Sequence, residues 1–433
     1  MIDHLTSLIR KEMCPALGVT EPAAIALACA KACSLSKEKP ERVHVQVNPG
    51  IYKNAFTCGI PNTAKVGNEY AAALGALAGD AQKELFVLEG IDSKDIEASE
   101  QMIADGRIQV EVDSTESALF IHSQVITKND VCEAEIRYSH TNICYLSVNQ
   151  RVLLDTRDAM QQQLEESEAI CSYTLADFYS FATNVQPEAL NFIQDAHAMN
   201  YALAKAGLES SDCAFTRELL LRNGGEYISQ DAEKTATLLT AAAVEARVKG
   251  FNHPAMSIVG SGNHGIISTL PLYAVAKIEG YSQTALLRAT VLGYLITMYI
   301  KKYSGKLSAF CGCAVASGTG MACALAMLRG GSLMHIENTL YNMANSITGM
   351  ICQGGNLGCV MKVISAIKTG FSAAELGLAG VNIAWVHGIG GVDAQQTMKN
   401  IGRIADPGMI ETDKVILEIL SQKASDILKD TIQ

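Results

Sequence analysis

The chain has 433 residues, 48% of them hydrophobic and 18% charged, and 34 basic against 45 acidic side chains give it a formal net charge of −11. A chain of this length buries most of its apolar surface and divides into more than one core, which excludes disorder as its main state. The acidic balance and the absence of any Lys/Arg run exclude a dedicated nucleic-acid binder or a protein drawn to anionic membranes, so the expected ligand is small.

The start, Met1-Ile2-Asp3-His4, lacks a basic segment followed by an apolar one, so a cytoplasmic location is expected. Apolar stretches such as Ala289 to Ile300 fall short of the roughly 20 residues that span a bilayer. In such a chain the 13 cysteines stay reduced and mean packing, metal ligation or redox chemistry before disulfides. Cys29, Cys33, Cys171, Cys213 and Cys323, on Ala-rich helical stretches, read as packing.

In chain order, an amphipathic helix opens the sequence. Gly18-Val19-Thr20-Glu21-Pro22 follows, where Thr20 is placed to cap a second, Ala-rich helix running to about Cys33. From Arg42 the pattern alternates: Val43, Val45 and Val47 share a face, a helix is expected through Ala71 to Gly79, and strands at Ile108–Val112, Ser117–Thr127 and Ala134–Tyr138. Beyond Leu153 strand signals almost vanish and helical spacing dominates to Leu428, so that half is expected to be all-helical. The charged stretch Arg157–Glu168 and the Gln186-Pro187 step read as a connector. The expected fold is an α+β N-terminal module joined to a large all-α domain: helices over 1–36 packing on the helical domain, an α+β module over 37–150, a connector over 151–190 and an all-α domain over 191–433.

Glycine is costly inside helices, so clustered glycines mark close backbone approach. Three clusters interrupt the helical half: Gly260-Ser261-Gly262-Asn263-His264-Gly265, Cys311-Gly312-Cys313, and Cys352-Gln353-Gly354-Gly355-Asn356-Leu357-Gly358-Cys359. Four cysteines in such turns are either packed thiols or ligands of a metal or cluster; paired short zinc spacings are missing, and an iron–sulfur cluster suits the apolar, glycine-rich surroundings better. The turn at 260–265 lacks the Lys-Ser/Thr of a phosphate loop and a preceding strand. It reads as a helix cap or as a carboxylate site built from backbone N–H groups, Ser261 and Asn263, with His264 beside it. Trp385 reads as core beside a loop, and Met343 and Met350 as helix packing.

The order Gly18-Val19-Thr20-Glu21-Pro22, Val47-Asn48-Pro49-Gly50-Ile51-Tyr52-Lys53-Asn54, Gly59-Ile60-Pro61, the turn at 260–265, Cys311-Gly312-Cys313-Ala314 and Cys352 to Cys359 resembles the serine dehydratase alpha-like superfamily over essentially the whole chain. Within it the sequence is similar to the branch that includes the L-cysteine desulfidases. The resemblance implies a [4Fe–4S] cluster on three cysteines, Cys313 (or Cys311), Cys352 and Cys359, whose open iron acts as a Lewis acid on the substrate. It also implies substrate contacts from Thr20, Lys53, Asn54, Ser261, Asn263 and Gly265. His264, Glu21 and Lys65 are candidate bases. Desulfidase relatives carry Cys where this chain has Val19, for which Cys14 is a candidate substitute, and no cysteine follows Cys359 to close the open iron. The expected reaction is α,β-elimination from a small L-amino acid, foremost L-cysteine to pyruvate, ammonia and sulfide. The alternatives are an L-serine dehydratase-like deaminase, or an amino-acid binder that has lost the cluster. Large apolar helical faces make a homo-oligomer the expected state.

Overall fold

The computed structural model describes residues 2–116, 118–158 and 167–432. Residues 159–166 of the expected charged connector helix, and Ser117, lie outside the described residues. Helix α1 (Ile2–Glu12) turns Leu5 and Ile9, one helical repeat apart, into the core of the helical part. Strand β1 (Met13–Leu17) pairs antiparallel with β8 (Pro254–Ile258), Met13 opposite Ile258 and Leu17 opposite Pro254. Strands therefore do occur beyond Leu153, contrary to the sequence reading. β8 is short and buried without alternation, and its partner lies far away in sequence, so nothing local announces it.

Helix α2 (Thr20–Cys33) is buried along almost its whole length. An Ala-rich helix with no polar face belongs inside a protein. It packs against α4 (Asn68–Ala78) and under a six-stranded sheet. Thr20 does not cap it from outside: it is the first helical residue, and Val19 stands at the cap without a side-chain bond.

The sheet runs β3-β2-β4-β5-β6-β7, from β2 (Arg42–Val47), β3 (Ile108–Val112), β4 (Phe120–Ile126), β5 (Val131–Arg137), β6 (Ile143–Val148) and β7 (Arg151–Asp155). Only β2 and β3 are parallel, and the crossover between them carries α3 (Pro49–Ala55), α4 and α5 (Ser93–Ala104). Val43, Val45 and Val47 face the helices, whereas His44–Glu111 and Gln124–Glu133 pair on the outer side. A sheet buried on one face gives this alternation.

The rest is helical, around the helix Ala232–Val248, whose residues from Thr235 onward are all buried among the helices Ile193–Glu209, Gly262–Glu279 and Gly358–Leu378. The architecture is thus a sheet-containing N-terminal region and a large helical part. Among the described residues no helix is long and apolar enough to cross a membrane. The start of α2 and the end of α3 meet the helical part at one cleft.

Candidate active site

The chain leaves β8 through two left-handed residues, Val259 (φ 49°) and Gly260 (φ 73°), and enters the helix Gly262–Glu279. The turn at 260–265 therefore does follow a strand, although no phosphate-loop Lys-Ser/Thr accompanies it. Arg247, at the end of the preceding long helix, donates from Nη1 to Asn263 Oδ1 at 3.0 Å. A Cβ at 262 would stand 2.5 Å from Arg247 Nε, so only glycine fits beneath the guanidinium. His264 Nδ1 lies 3.2 Å from the Ile258 carbonyl, which only accepts, so the proton sits on Nδ1 and the lone pair on Nε2. Nε2 faces Gly312, where a Cβ would stand 2.6 Å away. Burial, then the nearby Lys301 ammonium, push the His264 pKa down to about 3, so this imidazole is neutral.

The cysteine segments are joined by a short antiparallel bridge, Phe310 opposite Ile351. Cys311 N–H donates to Met350 O and Cys352 N–H to Ala309 O, both at 2.7 Å. Cys359 opens the helix Gly358–Leu378 and its thiol reaches Gly354 O at 3.5 Å. Cys313 begins a π-helical turn, a local form often found at functional sites. Cys311 and Cys313 sulfurs are 3.5 Å apart, and the shared hydrogen bond favours Cys311 as thiolate and Cys313 as thiol. Cys313, Cys352 and Cys359 line the cleft, with Cys311 buried beside them. Among the described residues no three Cys, His, Asp or Glu side chains converge on a single-ion site. A multinuclear cluster, however, places its own iron and sulfide between its ligands and needs them farther apart. Buried cations answer these thiols: Lys362 Nζ has no hydrogen-bond partner among the described residues, Lys301 donates to Ser308 Oγ at 2.9 Å, and burial pulls the Lys301 pKa down to about 8. Soft donors gathered beside buried cations fit an anionic thiolate-bound group.

The N-terminal elements close the other wall. Thr20 Oγ1 bridges Glu21 Oε2 (2.9 Å) and Gly260 O (3.0 Å), and Asn54 Nδ2 donates to Glu21 Oε1 at 3.0 Å. His140 Nε2 lies 3.9 Å from the same Glu21 oxygen, its pKa held down near 4 by burial. Cys352 Sγ contacts Asn54 Oδ1 at 3.7 Å.

Glu21, Asn54, Ser261, Asn263 and His264 thus line one cleft with the cysteines. Thr20 holds Glu21 without lining the cleft itself, and five other residues singled out in the sequence stand elsewhere. Lys65 pairs with Glu100 on α5 and lies over the Tyr70 ring, outside the cleft, so it is not placed to act as a base there. Lys53 is buried and bonded to Asp413; it does not line the cleft, although its ammonium lies near enough to Cys352 and Cys311 to interact with their charges. Gly265 does not line the cleft; its missing Cβ admits the Met256 carbonyl. Cys14 packs beside Ala16, Ala23 and Leu85. Trp385 is 52% exposed rather than core. The sequence reading missed Arg247, Lys301, His140 and Cys58. No sequence signal set the first two apart, since their helices also carry Lys234 and Glu245, and Arg288 and Lys302, respectively; Cys58 donates its thiol to Asn54 O and Gly355 O at 2.7 and 2.9 Å.

The cleft encloses about 60 Å³. With roughly 10–15 Å³ needed per water by this measure, that is room for a small amino acid and not for a nucleotide. It offers a carboxylate, two buried cations and a neutral imidazole.

A family model described as serine dehydratase alpha chain matches residues 82–418. A UPF0597 protein of Clostridium botulinum (strain Okra / Type B1) is 42% identical over 426 residues, covering 97% of this chain and 99% of the relative. UPF0597 proteins of Oleidesulfovibrio alaskensis (36% identical, 96% and 97% covered) and Methanocella arvoryzae (34%, 93% and 95%) are similar over nearly their full lengths.

Proposed function

Because the chain belongs to the serine dehydratase alpha chain family, we propose that its cleft eliminates the β-substituent of a small L-amino acid, L-cysteine foremost, with a [4Fe–4S] cluster held by Cys313, Cys352 and Cys359, and Cys311 as the alternative to Cys313. The observation that carries this reading is the gathering of these cysteines, buried cations and the 260–265 turn around one small cleft. Bound there, the cluster would supply a Lewis-acidic iron that polarises the substrate.

The chain's own groups then have distinct tasks. Neutral His264, with its lone pair on Nε2, accepts a hydrogen bond from the substrate ammonium. Glu21, fixed by Thr20 and Asn54, takes the α-proton. Electrons from the broken Cα–H bond form the Cα–Cβ double bond, and hydrosulfide leaves with the Cβ–S electron pair. Lys301, charged at neutral pH but near its titration point, gives the leaving group its proton. The aminoacrylate released takes up water to give pyruvate and ammonia. L-Serine would lose hydroxide by the same route.

Anaerobic reconstitution with iron and sulfide tests the proposal, followed by iron counting and assays with L-cysteine and L-serine in parallel. About four irons per chain, with turnover that vanishes in Cys352→Ala, is expected. No cluster, and a variant indistinguishable from the parent, would overturn it. Val19 in the cleft wall favours a second reading, a binder of amino acids without turnover, which that outcome combined with retained L-cysteine affinity would support.

A further inference from the structure

Arg247 is 2% exposed, in a helix buried on every side. Of its donors, Nη1 is matched by Asn263 Oδ1, while Nε and Nη2 are buried with no partner among the described residues. Unmatched buried guanidinium donors are costly, and a fold that keeps them reserves them for a ligand. Nε and Nη2 lie on one edge of the guanidinium, with two parallel N–H bonds that match the oxygens of a carboxylate. Glu21, the acid lining the same cleft, is held by Thr20 and Asn54 and is not hydrogen-bonded to this edge.

A second observation points to the same spot. The helix Gly262–Glu279 begins at the cleft, and Ser261 stands at its N-cap in extended conformation without a side-chain cap bond. Its first-turn amides and the positive end of its dipole therefore lack a side-chain acceptor. Gly262 lets the guanidinium lie against this terminus, a Cβ there being 2.5 Å from Nε and 2.9 Å from Cζ.

We propose that Arg247 binds the carboxylate of the substrate side-on through Nε and Nη2 at this uncapped helix terminus, and that Asn263 is a positioning residue that fixes Arg247 rather than a substrate ligand. The proposal rests on the amino-acid reading above. It gives the cleft a polarity: carboxylate at Arg247 and the helix start, β-substituent toward the cysteines.

The test is calorimetric titration of the iron-reconstituted protein with L-alanine, which has no leaving group, and with L-alaninamide, in which a neutral amide replaces the carboxylate. L-Alanine is expected to bind about tenfold or more tighter. Arg247→Gln should erase that difference with iron content unchanged, and Arg247→Lys should keep part of it. Asn263→Ala should raise KM for L-cysteine more than it lowers kcat. Equal affinity of the unsubstituted protein for the two ligands would overturn the proposal whether or not the variants fold. So would loss of iron together with binding in Arg247→Gln, which would assign Arg247 to the cysteine cluster. Turnover of L-cysteine with equal affinity for L-alanine and L-alaninamide would sink the clamp and leave the lyase. Affinity for pyruvate that depends on Arg247, without affinity for L-alanine or turnover of L-cysteine or L-serine, would sink the amino-acid reading and leave the clamp.

Discussion

Lys53 and Asp413, 360 residues apart, form an ion pair of 2.6 Å between Nζ and Oδ1, with the lysine side chain 2% exposed. The pair ties the C-terminal helix (Ile410–Ile432) to α3, one residue before the Asn54 that holds Glu21. Removing one partner of a buried pair strands the other's charge, whereas replacing both by apolar groups is far milder. Asp413→Ala should therefore cost about 3 kcal/mol, read from urea unfolding, and Lys53→Met with Asp413→Leu should recover most of it. A double variant as unstable as Asp413→Ala would show that the pair is not the origin of the loss.

Gly312 gives His264 Nε2 and Lys301 Nζ their room, since a Cβ there would stand 2.6 and 3.2 Å from them. Gly312→Ala should keep its melting temperature within a few degrees of the parent and lower sulfide release from L-cysteine by about tenfold or more. Parental turnover in this variant would mean that neither group works where the structure holds it.

Buried His197 makes the fold acid-sensitive. Thr290 Oγ1 donates to Leu286 O, so His197 Nε2–H donates to Thr290, and Nδ1 is left buried without a partner among the described residues. Burial pushes the His197 pKa down to about 4. The folded state thus binds fewer protons than the unfolded one between about pH 6.5 and 4: the stability is present above 6.5 and lost as pH falls toward 4. His197→Gln should flatten the fall of the urea midpoint over this interval by up to about 3 kcal/mol. Parallel curves for parent and variant would contradict this protonation state.

Cys58 is a buried thiol whose two acceptors, Asn54 O and Gly355 O, join the end of α3 to the loop between Cys352 and Cys359. If its role is this tie, Cys58→Ser keeps the donor and stays close to the parent. Cys58→Ala should lose about 1–2 kcal/mol and retain the parent's iron content after reconstitution. Loss of one iron or more in Cys58→Ala would make it a ligand.

The alternating valines at 43, 45 and 47 announced a half-buried strand because one face of the sheet meets helices and the other meets water. The helix expected through Ala71–Gly79 is α4, and strands expected at 108–112, 117–127 and 134–138 overlap β3, β4 and β5. β6 and β8 escaped. β8 pairs with β1, some 240 residues upstream, and pairing at that distance leaves no local pattern. Lys65 is a candidate base by residue type alone, yet its ion-pair partner, Glu100, sits on α5, and that pairing holds it outside the cleft.

What the sequence by itself determined is what depends on short spacing and composition: the division into an alternating first third and a helical remainder, the glycine-interrupted turns, and a set of soft and polar groups suited to a small ligand. Only the tertiary structure decided which of them meet. The Phe310–Ile351 bridge closes the gap between Cys311 and Cys352, the β1–β8 pairing sets the 260–265 turn against Thr20, and the helix Ala232–Val248 brings Arg247 beneath Gly262. Arg247 and Lys301 read in the sequence as ordinary cations. Their meaning comes from burial, which leaves a guanidinium edge unmatched and pulls an ammonium toward neutrality, and burial is a property of the folded chain alone.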